Sequence, residues 1–348
     1  MKILFPIVFI FALLFIVAMS KGFNQYFDPK KDHHTRTGFT NPYLSQNEQK
    51  KSFYEVLKMM SLKRPKPQYQ SIVKLNVDEV HSNLDKNISF ITWIGHSTML
   101  ISIKGRTILT DPIFSDRCSP VQFAGPERYT PPSIDIKSLP RIDMIFISHN
   151  HYDHLDLNTV KLLRENTSTM WYVPLGLKSW FEKLNVKNVI ELDWFDEIRI
   201  NDVEIICLPS QHWTKRSFFK SFDTLWSSWL IKIEDYKFWF AGDTGYNNKQ
   251  FKQIGNLYGP IDLAAIPIGA YEPRWFMKNF HVNPKESILI HKDIKAIKSF
   301  GMHFGTFVLT TEPILDPGEK IKKHILNDRD FIGDFVLPEH GKIYILDV

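Results

Sequence analysis

The stretch that decides the fold is Met144-Ile145-Phe146-Ile147-Ser148-His149-Asn150-His151-Tyr152-Asp153-His154. Its first half is a short apolar run and reads as a buried strand. Its second half places four side chains able to bind a metal, His149, His151, Asp153 and His154, within six residues. The carboxyl end of a strand holds side chains rigidly while the loop beyond it stays open to substrate. A period of two puts His149 and His151 on one side, where both imidazoles can meet one ion. The turn that follows lets Asp153 and His154 face a second. The chain carries 13 His in 348 residues, so this cluster is far denser than chance spacing gives.

Only Cys118 and Cys207 are present, so neither a disulfide framework nor a thiolate cage can be built. A metal must sit on imidazole and carboxylate, a donor set that suits zinc. Further ligands are therefore expected downstream, again at strand ends. His212 follows the run Glu204 to Leu208, Asp243 follows Lys237 to Ala241 between Gly242 and Gly245, and His303 lies in Gly301-Met302-His303-Phe304-Gly305. The flanking glycines allow the Asp243 carboxylate to approach closely and bridge.

Around these residues, strands are expected at Ile88 to Ile94, Thr98 to Ile103, Thr107 to Leu109, Met144 to Ser148, Met170 to Pro174, Glu197 to Leu208, Ser228 to Ile233 and Lys237 to Ala241. Helices are expected at Gln46 to Met60, Leu157 to Glu165, Gly176 to Leu184, Asn248 to Tyr258, Pro284 to Asp293 and Pro317 to Asn327. Meandering strands interrupted by single helices suggest an α/β fold of two sheets packed face to face with helices outside.

In its ligand order the sequence resembles the metallo-β-lactamase superfamily, whose HxHxDH, His, Asp, His pattern it reproduces. The resemblance implies a four-layer αββα sandwich and two zinc ions. His149, His151 and His212 would hold the first, Asp153, His154 and His303 the second, with Asp243 bridging. Longer runs resemble the N-acyl-phosphatidylethanolamine-hydrolysing phospholipase D family: Trp93-Ile94-Gly95-His96-Ser97-Thr98, Leu109-Thr110-Asp111-Pro112-Ile113-Phe114-Ser115, Gln211-His212-Trp213-Thr214-Lys215-Arg216, Asp262 through Met277, and His303-Phe304-Gly305-Thr306-Phe307. Leu157 and Phe280 depart from the Tyr and Gln of the animal pattern. The family implies cleavage of a phospholipid substrate to phosphatidic acid and an N-acylethanolamine, with Asp153, Asp243 and His281 as catalytic candidates. His281 would protonate the leaving oxygen or hold phosphate, and Tyr152 would point into the substrate groove or simply pack. Asp111 reads as an acceptor that orients a ligating imidazole, against the alternative of an ordinary turn former. His96 reads either as such a support or as a satisfied core histidine. Lys215 and Arg216 are surface charge or a phosphate contact, and Trp275-Phe276-Met277 is core or an acyl groove. A metal-dependent lactonase, a general phosphodiesterase and a non-catalytic membrane-tethered metal-binding protein are the competing readings.

The N-terminus is a separate matter. Ile3 to Met19 carries no charged side chain, which reads as a membrane anchor or, with Ala18-Met19-Ser20 behind it, as an export segment cleaved near Ser20. Residues 21 to 74 hold eleven Lys or Arg against Asp28, Asp32, Glu48 and Glu55, an excess of seven that favours an anionic membrane surface. The remaining chain is net acidic, which argues against nucleic acid as a partner. The expected organisation is residues 1–20 as the apolar segment, 21–87 as a basic lead-in and 88–348 as the hydrolase domain. Oligomeric state is not legible.

Overall fold

In a computed structural model, which describes residues 23–66, 73–217 and 220–348, the apolar runs pair into two seven-stranded mixed sheets. The first has the order Ile343–Ile345, Phe90–Gly95, Thr98–Ile103, Arg106–Thr110, Met144–Phe146, Met170–Pro174 and Val189–Leu192. The second runs Asp334–Val336, Ala296–Met302, Ile261–Pro267, Tyr236–Phe240, Ser228–Ile233, Val203–Leu208 and Glu197–Ile200.

Side-chain alternation decides how these sheets stack. Met99, Ile101, Ile103, Met144 and Phe146 face inward and share one core with Trp229, Ile231 and Phe240 of the second sheet. Their neighbours Leu100, Ile145 and Ile147 face outward into a second core, closed by Val80, Val160 and Phe181 from the helices Val77–Asp85, Leu157–Leu163 and Lys178–Glu182. On the far side, the helices Gln250–Leu257, Pro284–Asp293 and Asp316–Asn327 supply Phe251, Ile254, Ile288, Ile290 and Ile321. Each such fully buried side chain contributes roughly 1.5–3 kcal/mol. The layers are therefore helix, sheet, sheet, helix, as the αββα expectation requires.

Local differences from the sequence reading have identifiable causes. Gln46 to Met60 is two helices, Gln46–Gln49 and Phe53–Ser61, because Ser45 with Glu48 and Ser52 with Glu55 each close a capping box. A second start signal cannot sit inside a continuous helix. Glu197 to Leu208 is a hairpin, with Ile200 paired to Val203 across Asn201-Asp202. Asn201 takes the left-handed conformation (φ 55°) that Asn tolerates well. The strands Val189–Leu192 and Ile261–Pro267 and the helix Val77–Asp85 were not anticipated.

The lead-in is tied to the sheets by polar contacts. His33 Nε2 lies 2.7 Å from Asp193 Oδ1, its ring stacks on Trp194 at 4.3 Å, and Lys31 pairs with the same carboxylate. Asn41 Nδ2 donates to the His212 carbonyl at 2.8 Å, and Asn279 Nδ2 donates to the Glu48 carbonyl at 2.9 Å. The expected apolar segment, residues 1–20, lies outside the described residues. Among those described, no helix is long and apolar enough to cross a membrane.

Candidate metal centre

Strand ends from both sheets converge on one site. Met144–Phe146 runs parallel to Arg106–Thr110 and Met170–Pro174, and the chain beyond it delivers His149 and His151. One tight turn, in which His154 N and Leu155 N donate to the His151 carbonyl at 3.1 and 2.8 Å, then swings Asp153 and His154 to the other side. From the second sheet come His212, Asp243 and His303, after Val203–Leu208, Tyr236–Phe240 and Ala296–Met302.

Two groups form. His149 Nε2 and His212 Nε2 lie 2.9 and 3.2 Å from His151 Nδ1. Asp153 Oδ2 lies 3.5 and 3.4 Å from His154 Nε2 and His303 Nε2. Asp243 Oδ2 stands between them, 3.1 Å from both His154 Nε2 and His303 Nε2, 3.7 Å from His212 Nε2 and 4.0 Å from His149 Nε2. The carboxylate gets there because Gly242 (φ 60°) turns the chain where a Cβ would fall 2.6 Å from Ser148 Cβ.

The donor chemistry fits cations. His212 Nδ1 is 2.9 Å from the Phe280 carbonyl, which only an N–H can satisfy, so Nε2 keeps its lone pair. His154 Nδ1 donates to Asp111 Oδ2 at 2.6 Å, which turns its Nε2 toward Asp243. Ser148 Oγ–H is committed to Asp111 Oδ2, so His149 Nδ1 donates to Ser148 Oγ at 2.9 Å and its Nε2 also points inward unprotonated. His154 Nε2, His303 Nε2 and Asp243 Oδ1 are buried without hydrogen-bond partners. Such groups are costly to bury unless something answers them.

Electrostatics point the same way. Burial holds His149 well below the usual imidazole range and pushes His151 to about 4 and His212 to about 3, so all three are neutral ligands near pH 7. Burial opposes charge on Asp243 and Asp153, but the surrounding imidazoles outweigh it and hold both carboxyls well below their ordinary range. The same carboxylates overcome burial to raise His154 well above its usual value and His303 to about 9. A cation in this field replaces the charge those two protons supply.

The remaining expected residues are placed as follows. Asp111 accepts from Ser148 N at 2.7 Å as well as from His154, so it orients a candidate ligand. His96 Nε2 is 3.0 Å from Asp153 Oδ2, and its backbone is left-handed (φ 53°), as are those of Asp111 and His303 (φ 31° and 62°). Strain of this kind gathers at functional sites. His281 stands at the rim, its Nδ1 3.9 Å from Asp243 Oδ2 and its ring edge-on to His212. Tyr152 is turned aside: its ring packs against the Arg216 guanidinium and its hydroxyl donates to the Arg216 carbonyl at 3.1 Å. Trp275 is not core but 37% exposed, with Lys58 over its ring. Phe280 is buried, its ring near Trp213. Sequence reasoning missed Ser148, although it adjoins His149, and Arg274, whose guanidinium holds the His281 carbonyl at 2.7 Å while pairing with Glu286.

The Beta-lactamase superfamily domain matches residues 106–304. The chain is 41% identical over 283 residues to N-acyl-phosphatidylethanolamine-hydrolyzing phospholipase D 1 of Caenorhabditis elegans, covering 78% of each chain. It is 38% identical over 262 residues to the mitochondrial enzyme of that name from Saccharomyces cerevisiae, covering 74% of this chain and 56% of the yeast one. Among solved structures, a metallo hydrolase from Ignicoccus hospitalis superposes with a TM-score of 0.56 at 16% identity, over 75% of this chain and 99% of that one, and shares the fold. The chain belongs to the metallo-β-lactamase superfamily and, within it, to the N-acyl-phosphatidylethanolamine-hydrolysing phospholipase D family of metal-dependent hydrolases.

Proposed function

We propose that this chain is a zinc-dependent phosphodiester hydrolase of the phospholipase D type, cleaving N-acyl-phosphatidylethanolamine to phosphatidic acid and an N-acylethanolamine at a membrane surface. The observation that carries this is Asp243 Oδ2 lying between the two ligand groups, within 4.0 Å of nitrogens from both. A shared carboxylate of this kind suits a pair of divalent ions, the arrangement used for in-line displacement at phosphorus. The substrate class is supported by the relatives named above.

His149, His151 and His212 would hold one ion, Asp153, His154 and His303 the other, and Asp243 both. Zinc held at these residues would supply Lewis acidity and would lower the pKa of water toward about 7, so no side-chain nucleophile is needed. Asp111 and Phe280, through its carbonyl, fix the imidazoles of His154 and His212. Burial pushes the His281 imidazole to about 3, so it meets the substrate neutral, with a ring N–H to donate to a phosphoryl or leaving oxygen. The half-exposed stripe Trp275-Phe276-Met277 offers apolar surface for an acyl chain, where each buried methylene contributes up to ~0.8 kcal/mol. The apolar run Ile3 to Met19 and the basic stretch behind it support a membrane location.

Product identification by mass spectrometry with zinc-loaded enzyme tests the reading. N-acylethanolamine and phosphatidic acid are expected. Release of free fatty acid, or faster opening of a lactone than cleavage of the lipid, would overturn the substrate assignment.

A further inference from the structure

Arg216 is a basic residue four positions beyond the ligand His212, where sequence alone allows a phosphate contact. Its side chain instead turns inward and is held by the protein. One guanidinium nitrogen, Nη1, donates to the carbonyls of Asn150 and Leu155 at 2.9 and 2.7 Å. The Tyr152 and Trp180 ring centres lie 4.4 and 4.9 Å from its central carbon. Asn150 and Leu155 bracket His151, Asp153 and His154. A guanidinium bound to both carbonyls therefore closes the ends of the ligand turn upon each other.

Neighbouring bonds repeat the theme. Lys215 N donates to Asn150 Oδ1 at 3.0 Å, Tyr152 Oη donates to the Arg216 carbonyl at 3.1 Å, and Asn150 Nδ2 donates to Thr224 Oγ1 at 3.0 Å. The run His149–His154 leaves the first sheet, whereas His212 and Arg216 follow a strand of the second. We propose that Arg216 is a positioning residue for the metal centre, a brace that sets the curvature of the ligand turn and locks it to the chain segment carrying His212. Burial draws the guanidinium down to about 10, still charged at neutral pH. A half-buried cation held by two carbonyls and two ring faces suits the flat guanidinium, and a lysine ammonium cannot reproduce it. This role does not depend on which ester the enzyme cleaves.

The test uses the full-length protein and zinc alone. Arg216→Met keeps the length of the side chain and removes its donors. Zinc affinity, by competition with a chromophoric chelator, should weaken by about 10–100-fold, as for outer partners of metal ligands generally, and chelator-driven zinc loss should accelerate. Arg216→Lys should fall between. Inhibition of the zinc-saturated enzyme by inorganic phosphate should be unchanged. Wild-type zinc affinity and loss rate in Arg216→Met, with weakened phosphate inhibition, would overturn the proposal and restore the phosphate contact. Circular dichroism of the metal-free proteins checks folding. If Arg216→Met does not fold, Arg216→Lys decides: reduced zinc affinity supports the brace, and wild-type affinity refutes it.

Discussion

Asp111 receives a backbone N–H, the Ser148 hydroxyl and the His154 ring nitrogen, all at a single fully buried carboxylate. Asp111→Asn keeps the shape but turns one acceptor into a donor facing His154. Activity or zinc affinity should drop on the order of 10–100-fold, read by turnover and chelator competition. Loss at the ligands themselves should be deeper. His149→Ala or Asp243→Ala should lower bound metal below the roughly two ions per chain of a two-metal site and abolish hydrolysis. Unchanged metal content and turnover in both, by elemental analysis and assay, would remove these residues from the ligand set. All seven candidate ligands were legible because few residue types bind zinc and the scaffold exposes them only at strand ends. The orientation of Tyr152 and Arg216 was not legible, since it is set by a loop packing against a helix remote in sequence.

Elements that carry no ligand still control where ligands sit. The turn at Gly242 is left-handed, and a Cβ there would meet the Ser227 carbonyl at 2.9 Å as well as Ser148. Gly242→Ala should therefore cost more than about 1 kcal/mol and displace Asp243, seen as a lower denaturation midpoint together with reduced metal content. The docking of the lead-in, where the short strands His34–Thr35 and Gly38–Phe39 pair, depends on Asp193. Burial opposes its charge, but hydrogen bonds from His33 and Lys31 outweigh this and hold the carboxyl at about 2. The folded value lies below the ordinary one of about 3.9, so this contribution is complete above about pH 4 and is lost as pH falls toward about 2. Asp193→Asn should flatten that acid limb in urea midpoints measured against pH. It should also lower stability near neutral pH by about 1–3 kcal/mol, because His33 is left under-partnered. A midpoint profile identical to the wild type would show that the lead-in docks by other means. Central strands with clear alternation were readable in advance, whereas Ile261–Pro267, apolar on both faces apart from Asp262, lacks a period that separates strand from buried helix.

At the scale of the whole molecule, the first sheet draws six strands from residues 90–192 and its edge strand Ile343–Ile345 from the C-terminus, while the second is built from residues 197–336, and the sequence reading anticipated two packed sheets. It could not order the strands, because pairing between Ile343–Ile345 and Phe90–Gly95 joins residues some 250 positions apart. Deleting residues 1–20 should leave the sandwich folded and metal-competent while making flotation with anionic vesicles, then left to the basic stretch, sensitive to salt. Full-length protein that itself fails to float, with Met1 retained, would refute the anchor. A centre whose proposed ligands come from both sheets also acts as a rivet. Any ion that binds the folded chain alone adds stability by mass action, about 2.7 kcal/mol at a hundred times its dissociation constant. The lifetime of this protein in a cell, and not merely its turnover number, would then follow the supply of free metal, with scarcity clearing the enzyme through proteolysis before it accumulates in an idle form.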